Sequence, residues 1–475
     1  MQPAITIRIH DWTTEKRQLA NDSDSKRTLW NRARDMAEKA PPERNRYVDF
    51  LRALSIMAVV VGHWLVAAPY MQDGAVVGGH LLGIIPWTQW LTWGFQVMPL
   101  FFLVGGFSNG MSWAATQRKA CPEPGRRSGH YADWFGSRVQ RLINPVLPLF
   151  LIWTLFAAFG TALGVERGVV KMAAQLALVP VWFLSVYLMV SALVPLTWNL
   201  WQRFGLGSFW GFVVGAIAVD VLSIHFGVPY INFANFLFVW LGVHQLGYAW
   251  GAGRIRNPWV WAVFGAIALE MLVYFGPYPV AMIGVPGSEL SNSMPPTLAL
   301  FALGVAQAGL ALALEKAGRR MLDTMRIWTA TVLLNGMIMT VYLWHLTAFV
   351  FVMVAAWLLG GIGLHSAPGS GAWWLARPIW FALYIAMLLP LIALFARFEA
   401  ARGMPDREAP VPHWRLVTGL ILTCAGLAFT AAISIASPEG VTGVRLWVVA
   451  LPFVGAALIG FGPVRDLSKK VSGAN

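Results

Sequence analysis

The sequence predicts an all-α, polytopic integral membrane bundle of about twelve transmembrane helices, and three observations predict it. First, 57% of the 475 residues are hydrophobic and only 12% are charged, about half the charged share of a soluble domain. The mean hydropathy of +0.60 points the same way, because a water-facing surface needs the missing charges. Second, apolar stretches of roughly 16 to 21 residues, the length that crosses the hydrocarbon, recur to the C-terminus. Third, the basic residues alternate in step with those stretches.

The candidate spans are Val48–Ala68, Phe95–Ala115, Ile143–Ala162, Val181–Leu200, Phe209–Phe226 and Phe233–Trp250. They continue with Pro258–Phe275, Pro296–Leu314, Ile327–Leu359, Ile379–Ala396, Val417–Ile435 and Leu446–Phe461. The stretch Ile327–Leu359 exceeds one perpendicular crossing, so it is expected to tilt or to project beyond the bilayer. With a cytoplasmic N-terminus, 31 of the 35 Lys and Arg residues fall on the cytoplasmic side. Only Arg167, Lys171, Arg377 and Arg445 fall outside. A missed or invented span would spoil this alternation downstream, so the count supports the spans as well as their direction. Both termini are then expected in the cytoplasm. The net charge of +13 reads as loop charge of this kind and not as a nucleic-acid footprint.

Three regions follow: a polar tail over residues 1–46, a membrane core over 47–398, and two further spans with a short tail over 399–475. The tail carries no cleavable signal pattern, and Thr13–Lys39 reads as a surface helix. Between spans, Pro69–Gly94 reads as an interfacial or re-entrant element, and Gly360–Arg377 as a flexible loop. Two cysteines, Cys121 and Cys424, give neither a disulfide framework nor a metal set. The 25 tryptophans read mostly as interfacial belt and packing residues. No phosphate-binding P-loop, dinucleotide fingerprint or internal repeat is found.

Chemistry-bearing residues concentrate on the first span. Arg52 and His63 are eleven residues apart, about 20° from whole turns, so they share a face about 16 Å apart along the axis. Asp49 joins Arg52 one turn earlier. One reading makes Asp49–Arg52 a structural ion pair and His63 a satisfied core histidine. The other places Arg52 where phosphates approach and His63 deep in the membrane as a working group, since ionisable groups at depth face cavities or partners. Arg138 and Arg141 are neighbours one turn apart just before a span, and serve either as positive-side anchors or as phosphate forks. His345 stands about 28 Å beyond Arg326 and His63 about 25 Å beyond Arg46, so the two histidines fall at similar depth. Tyr342 shares a helical face with His345, and the pair serves either acceptor binding and support of His63 or core packing. Asp220 and Glu270 are buried carboxylates, either functional or paired. His244, Gln245 and Asn335 suit interhelical hydrogen bonds, and Gly105-Gly106 a close helix contact.

Asp49-x-Leu51-Arg52-x10-His63 resembles the signature of acyltransferase family 3 of membrane proteins. The stretch from Met98 to Phe107 is similar to that family's second-helix motif, and Arg138-Val139-Gln140-Arg141 to its R-x-x-R. Trp182-Phe183-Leu184 and Tyr342-Leu343-Trp344-His345 resemble its later landmarks, in the expected order. Val104-Gly105-Gly106 departs from the family's Leu-Ser-Gly, so no role for that serine carries over. The resemblance implies a ten-helix core plus two helices. It also implies transfer of an acetyl or longer acyl group from cytoplasmic acyl-CoA to a hydroxyl of a sugar, glycolipid or other envelope acceptor in a bacterial plasma membrane. Arg52, Arg138 and Arg141 would bind the donor, His63 would act as general base, and Asp49 would orient Arg52. From their own placement in the spans, and not from the resemblance, Tyr342, His345, Glu270 and Trp182 are the candidates to bind or support the acceptor. No metal and no tightly bound cofactor are expected, with acyl-CoA as co-substrate. The alternatives are a secondary transporter built on Asp220, Glu270, His63 and His345, or a non-catalytic partner in envelope assembly.

Overall fold

A computed structural model of the chain describes residues 28–119, 129–399, 411–437, 439 and 442–460. It is a helical bundle; the one sheet among the described residues is a two-stranded hairpin, Tyr70–Gln72 against Ala75–Val77. Eight helices set out the region of interest: α1 (Arg46–Val66), α2 (Met98–Lys119), α3 (Gly129–Ile143) and α4 (Val181–Ala192), then α5 (Asn235–Gly251), α6 (Leu298–Ala313), α7 (Ile338–Leu358) and α8 (Gly371–Phe395).

Among the described residues, nine helical stretches are long and apolar enough to cross a membrane, and ten if α6 joins Glu315–Leu322 across a 53° bend. The remaining two of the twelve expected spans are helical but shorter: α5 has 17 residues and Leu446–Ile459 has 14. The expectation for Ile327–Leu359 is corrected. Instead of one tilted rod there are two helices, Met325–Gly336 and α7, broken at Gly336–Met337. The break persists because α7 has its own cap from far away in sequence. Glu399 accepts hydrogen bonds from the backbone N–H groups of Met339 and Thr340 and from the Thr340 hydroxyl, which satisfies orphan donors at a helix start.

Helix α1 is capped in the usual local way, with the Asn45 side chain accepting from the N–H groups of Tyr47 and Val48. It packs between α2 and α7. Helices α2 and α5 meet backbone to backbone. A Cβ on Gly106 would lie 2.1 Å from the His244 carbonyl oxygen, and one on Gly247 2.3 Å from that of Leu103. Only glycine allows that approach, which was the sequence expectation for Gly105-Gly106. Part of the expected Thr13–Lys39 helix lies outside the described residues; Leu29–Glu38 is helical, and Trp328 donates its indole N–H to the Ala37 carbonyl.

The segment 69–94 is the hairpin followed by three short helical turns. The expected loop at 360–377 ends earlier, since α8 starts at Gly371 under the Ser370 cap. That loop is tied to the hairpin by the Met71 N–H, which donates to the Leu364 carbonyl at 2.8 Å, and Leu364 is buried.

Candidate functional site

The two histidines expected at similar depth are in direct contact. His63 on α1 and His345 on α7 stack with ring centroids 5.1 Å apart, and His63 Nδ1 lies 2.8 Å from His345 Nε2. The partner at the far end of this chain sets the proton positions. His345 Nδ1 is 2.6 Å from the Tyr342 carbonyl oxygen, which only accepts, so His345 Nδ1 carries the hydrogen. For two neutral imidazoles, His345 Nε2 is then the acceptor and His63 Nδ1 the donor. The Nε2 lone pair of His63 is left over as the basic position. The arrangement is firmly held: the Trp64 indole N–H donates to the His345 carbonyl at 3.1 Å, and the Tyr342 hydroxyl to the Pro180 carbonyl at 2.8 Å.

His63 is half-buried and borders a cavity of about 320 Å³. Tyr342 and Trp182 border it too, so three residues singled out in the sequence meet at one space. Its walls come from α1 and from the start of α2, and its roof from segments 81–96 and 283–294.

A second set of polar contacts lies toward the N-terminal end of α1, about 16 Å from His63. Arg52 donates from Nη1 to Asp49 Oδ1 at 3.0 Å and from Nη2 to Ser108 Oγ at 3.1 Å. The other Asp49 oxygen accepts from Arg44 Nε at 2.6 Å. Arg138 on α3 lies 3.7 Å over the Trp134 ring and donates from Nε to Asn109 Oδ1 at 3.1 Å. Asn109 in turn donates from Nδ2 to His244 Nε2 at 3.2 Å. Consecutive residues of α2, Ser108 and Asn109, thus hold the two arginines. Neither was singled out in the sequence. The signal was there, two adjacent polar residues inside an apolar span. Glu399 was also missed, and nothing local in the sequence marks it as the cap of α7.

Other expected site residues are placed elsewhere. Arg141 is exposed, one turn from Arg138 yet without its contacts to Asn109 and Trp134. Glu270 does not join the cavity. It is exposed on Pro258–Phe275, on the outward side with Ile267 and Met271, because the helix buries its opposite face against α6. Asp220 is buried and accepts from Asn235 Nδ2, the Tyr278 hydroxyl and the Leu298 N–H. Held by three donors, that carboxylate is a structural tie, and with Glu270 outward the two do not join the histidines. Gln245 and Asn335 make the interhelical bonds expected of them, to the carbonyls of Thr197 and Asp49. Among the described residues no cluster of His, Cys, Asp and Glu is arranged to hold a metal ion.

Fold and site define a multi-pass membrane protein with a stacked imidazole pair opening on a cavity. The chain belongs to acyltransferase family 3: the family model, described as an acyltransferase domain, matches residues 45–397. It is therefore a membrane acyltransferase. No curated protein and no solved structure matches the chain.

Proposed function

We propose that this enzyme moves an acyl group from cytoplasmic acyl-CoA to a hydroxyl of a carbohydrate or glycolipid acceptor, in a bacterial plasma membrane with both termini in the cytoplasm. The reading rests above all on the histidine chain Tyr342 C=O, His345, His63, which leaves one basic nitrogen beside a cavity. His63 Nε2 takes the proton of the acceptor hydroxyl as its oxygen attacks the thioester carbonyl. The tetrahedral intermediate collapses with cleavage of the C–S bond, and His63 returns the proton to the departing CoA sulfur. Atoms and charge balance without any further reactant.

In this reading Arg52 and Arg138 bind CoA phosphates, with Arg141 adding longer-range attraction from the surface. Asp49 and Ser108 hold the Arg52 fork; Asn109 and Trp134 hold that of Arg138. The pantetheine arm spans the distance from the arginines to His63, which brings the thioester to the imidazole. Trp182 and Tyr342 border the cavity beside the reacting atoms. No tightly bound cofactor takes part, and acyl-CoA is a co-substrate.

The test is release of free CoA by the purified protein in nanodiscs, followed by mass spectrometry of lipids and glycans from a deletion strain. One missing acyl mass in the strain names the acceptor. His63→Ala should fold and bind acyl-CoA while transfer falls about 10²–10⁴-fold, the usual contribution of a positioned general base. A folded His63→Ala protein with near-normal transfer defeats the assignment.

A further inference from the structure

The cavity next to His63 is walled mainly by apolar side chains. Val59, Leu65, Val66, Leu82, Leu91 and Phe95 all border it. Thr88, Thr92, Gln96 and Ser293 border it as well and are hydrogen-bonded within the protein. Among the described residues, that leaves the Trp182 indole N–H and His63 Nε2 as the polar side-chain groups on the lining without such a bond. The Thr88 hydroxyl donates to the Ile85 carbonyl, and the Thr92 hydroxyl donates to Gln89 and accepts from the Met282 N–H. Gln96 donates to the Met282 carbonyl and accepts from the Met98 N–H. Ser293 is paired with Ser291. A sugar ring filling this space would leave most of its hydroxyls unpaired, and such groups are costly to bury. A hydrocarbon chain would leave none.

The position of the cavity selects which hydrocarbon. The arginines lie on one side of His63 and the cavity borders it on the other. An acyl-CoA anchored by its phosphates, with its carbonyl at His63, has only its acyl chain left to place beyond the imidazole. On the acyltransferase reading above, we propose that this cavity seats the acyl chain, and that the donor is a medium- to long-chain acyl-CoA instead of acetyl-CoA. A volume of about 320 Å³ holds on the order of ten groups the size of a water molecule, at roughly 30 Å³ each, and a methylene is of similar size. The preferred chain is therefore about eight to twelve carbons. The acceptor reaches His63 from the side of the cavity bordered by Met294, which is half exposed, without filling the space.

The experiment is a donor series on the purified full-length enzyme: acetyl-, butyryl-, octanoyl-, dodecanoyl- and palmitoyl-CoA, with kcat/KM for CoA release at a fixed acceptor extract. The expected result is a rise of up to about fourfold per added methylene, levelling near eight to twelve carbons. Val66→Phe, which narrows the cavity from α1, and Met294→Trp, on the half-exposed edge, should each lower the dodecanoyl-to-butyryl ratio by tenfold or more. Two such variants guard against one that folds poorly. Efficient transfer that is flat with chain length, or best with acetyl-CoA, overturns the chain assignment and leaves acyl transfer standing. Sensitivity of the two variants to the lipid part of the acceptor, and not to the donor chain, also overturns it. No turnover of any acyl-CoA overturns the underlying reading, and the chain assignment with it.

Discussion

Replacing His345 tests how the pair of imidazoles works, because His345 touches His63 but lies one ring further from the reacting atoms. In His345→Phe the ring and its packing are kept in outline, while the acceptor for His63 Nδ1–H is lost. The 2.8 Å bond is what biases His63 toward the tautomer with a free Nε2. A buried hydrogen bond of this kind is worth about 1–1.5 kcal/mol net, roughly a tenfold bias between tautomers. Loss of ring orientation adds to that, and removing the orienting partner in serine-protease triads costs about 10⁴. Because His63 stays anchored on α1, the expected loss in kcat is about 10- to 100-fold, with acyl-CoA affinity unchanged. His345→Gln supplies the discriminating arm: its side-chain oxygen can accept from His63 Nδ1–H, so it should recover a large part of the loss. The assay is single-turnover acyl transfer, with acyl-CoA affinity and Tm measured on the same preparations. If the Phe and Gln variants lose activity equally, or if the Phe variant turns over at the normal rate, the tautomer argument is refuted.

Removing Arg52 or Arg138 by alanine substitution should weaken acyl-CoA binding about ten- to a hundredfold each, the cost of about 1.5–3 kcal/mol for a charged hydrogen bond. Exposed Arg141→Ala should do less, and titration of binding by calorimetry checks the order. For topology, with Cys121 and Cys424 removed, an Ala367→Cys protein should react with an impermeant thiol reagent in intact cells and Arg320→Cys should not; the reverse pattern would place the donor site outside. Gly247→Ala should lower the Tm, since its Cβ would meet the Leu103 carbonyl at 2.3 Å and overpacking of this kind costs about 1–3 kcal/mol. Glu399→Ala should also lower the Tm, as it strips three donors at the start of α7 of their acceptor; loss of a cap costs about 0.5–2 kcal/mol.

Much of this was written in the sequence because lipid imposes a local rule. Each span must satisfy its own backbone and present apolar side chains, so length and hydropathy locate the apolar spans without knowledge of their neighbours, though not the breaks within them. All twelve expected spans are helical, although α5, α6 and Leu446–Ile459 are short. Ile327–Leu359 is a broken pair, and Val181–Leu200 is divided between α4 and Val194–Phe204, the long apolar stretch there being Arg167–Ala192. His63 and His345 were expected at one depth and do meet, although the count for His345 assumed an unbroken helix from Arg326, and the close approach at Gly105-Gly106 followed from residue size. What periodicity does not carry is rotation and pairing. Whether Glu270 points to a cavity or outward depends on which face Pro258–Phe275 buries, and that is settled by α6. Arg138 and Arg141 look alike as an i, i+3 pair, yet only one reaches Asn109 and Trp134. The break before α7 needs Glu399, about sixty residues on, and the hydrogen bond between the histidines needs α1 and α7, 282 residues apart in the chain. Contacts between segments so distant leave no local pattern, so the sequence by itself determined the helices and the list of polar residues within them. Only the tertiary structure decided which of those residues meet.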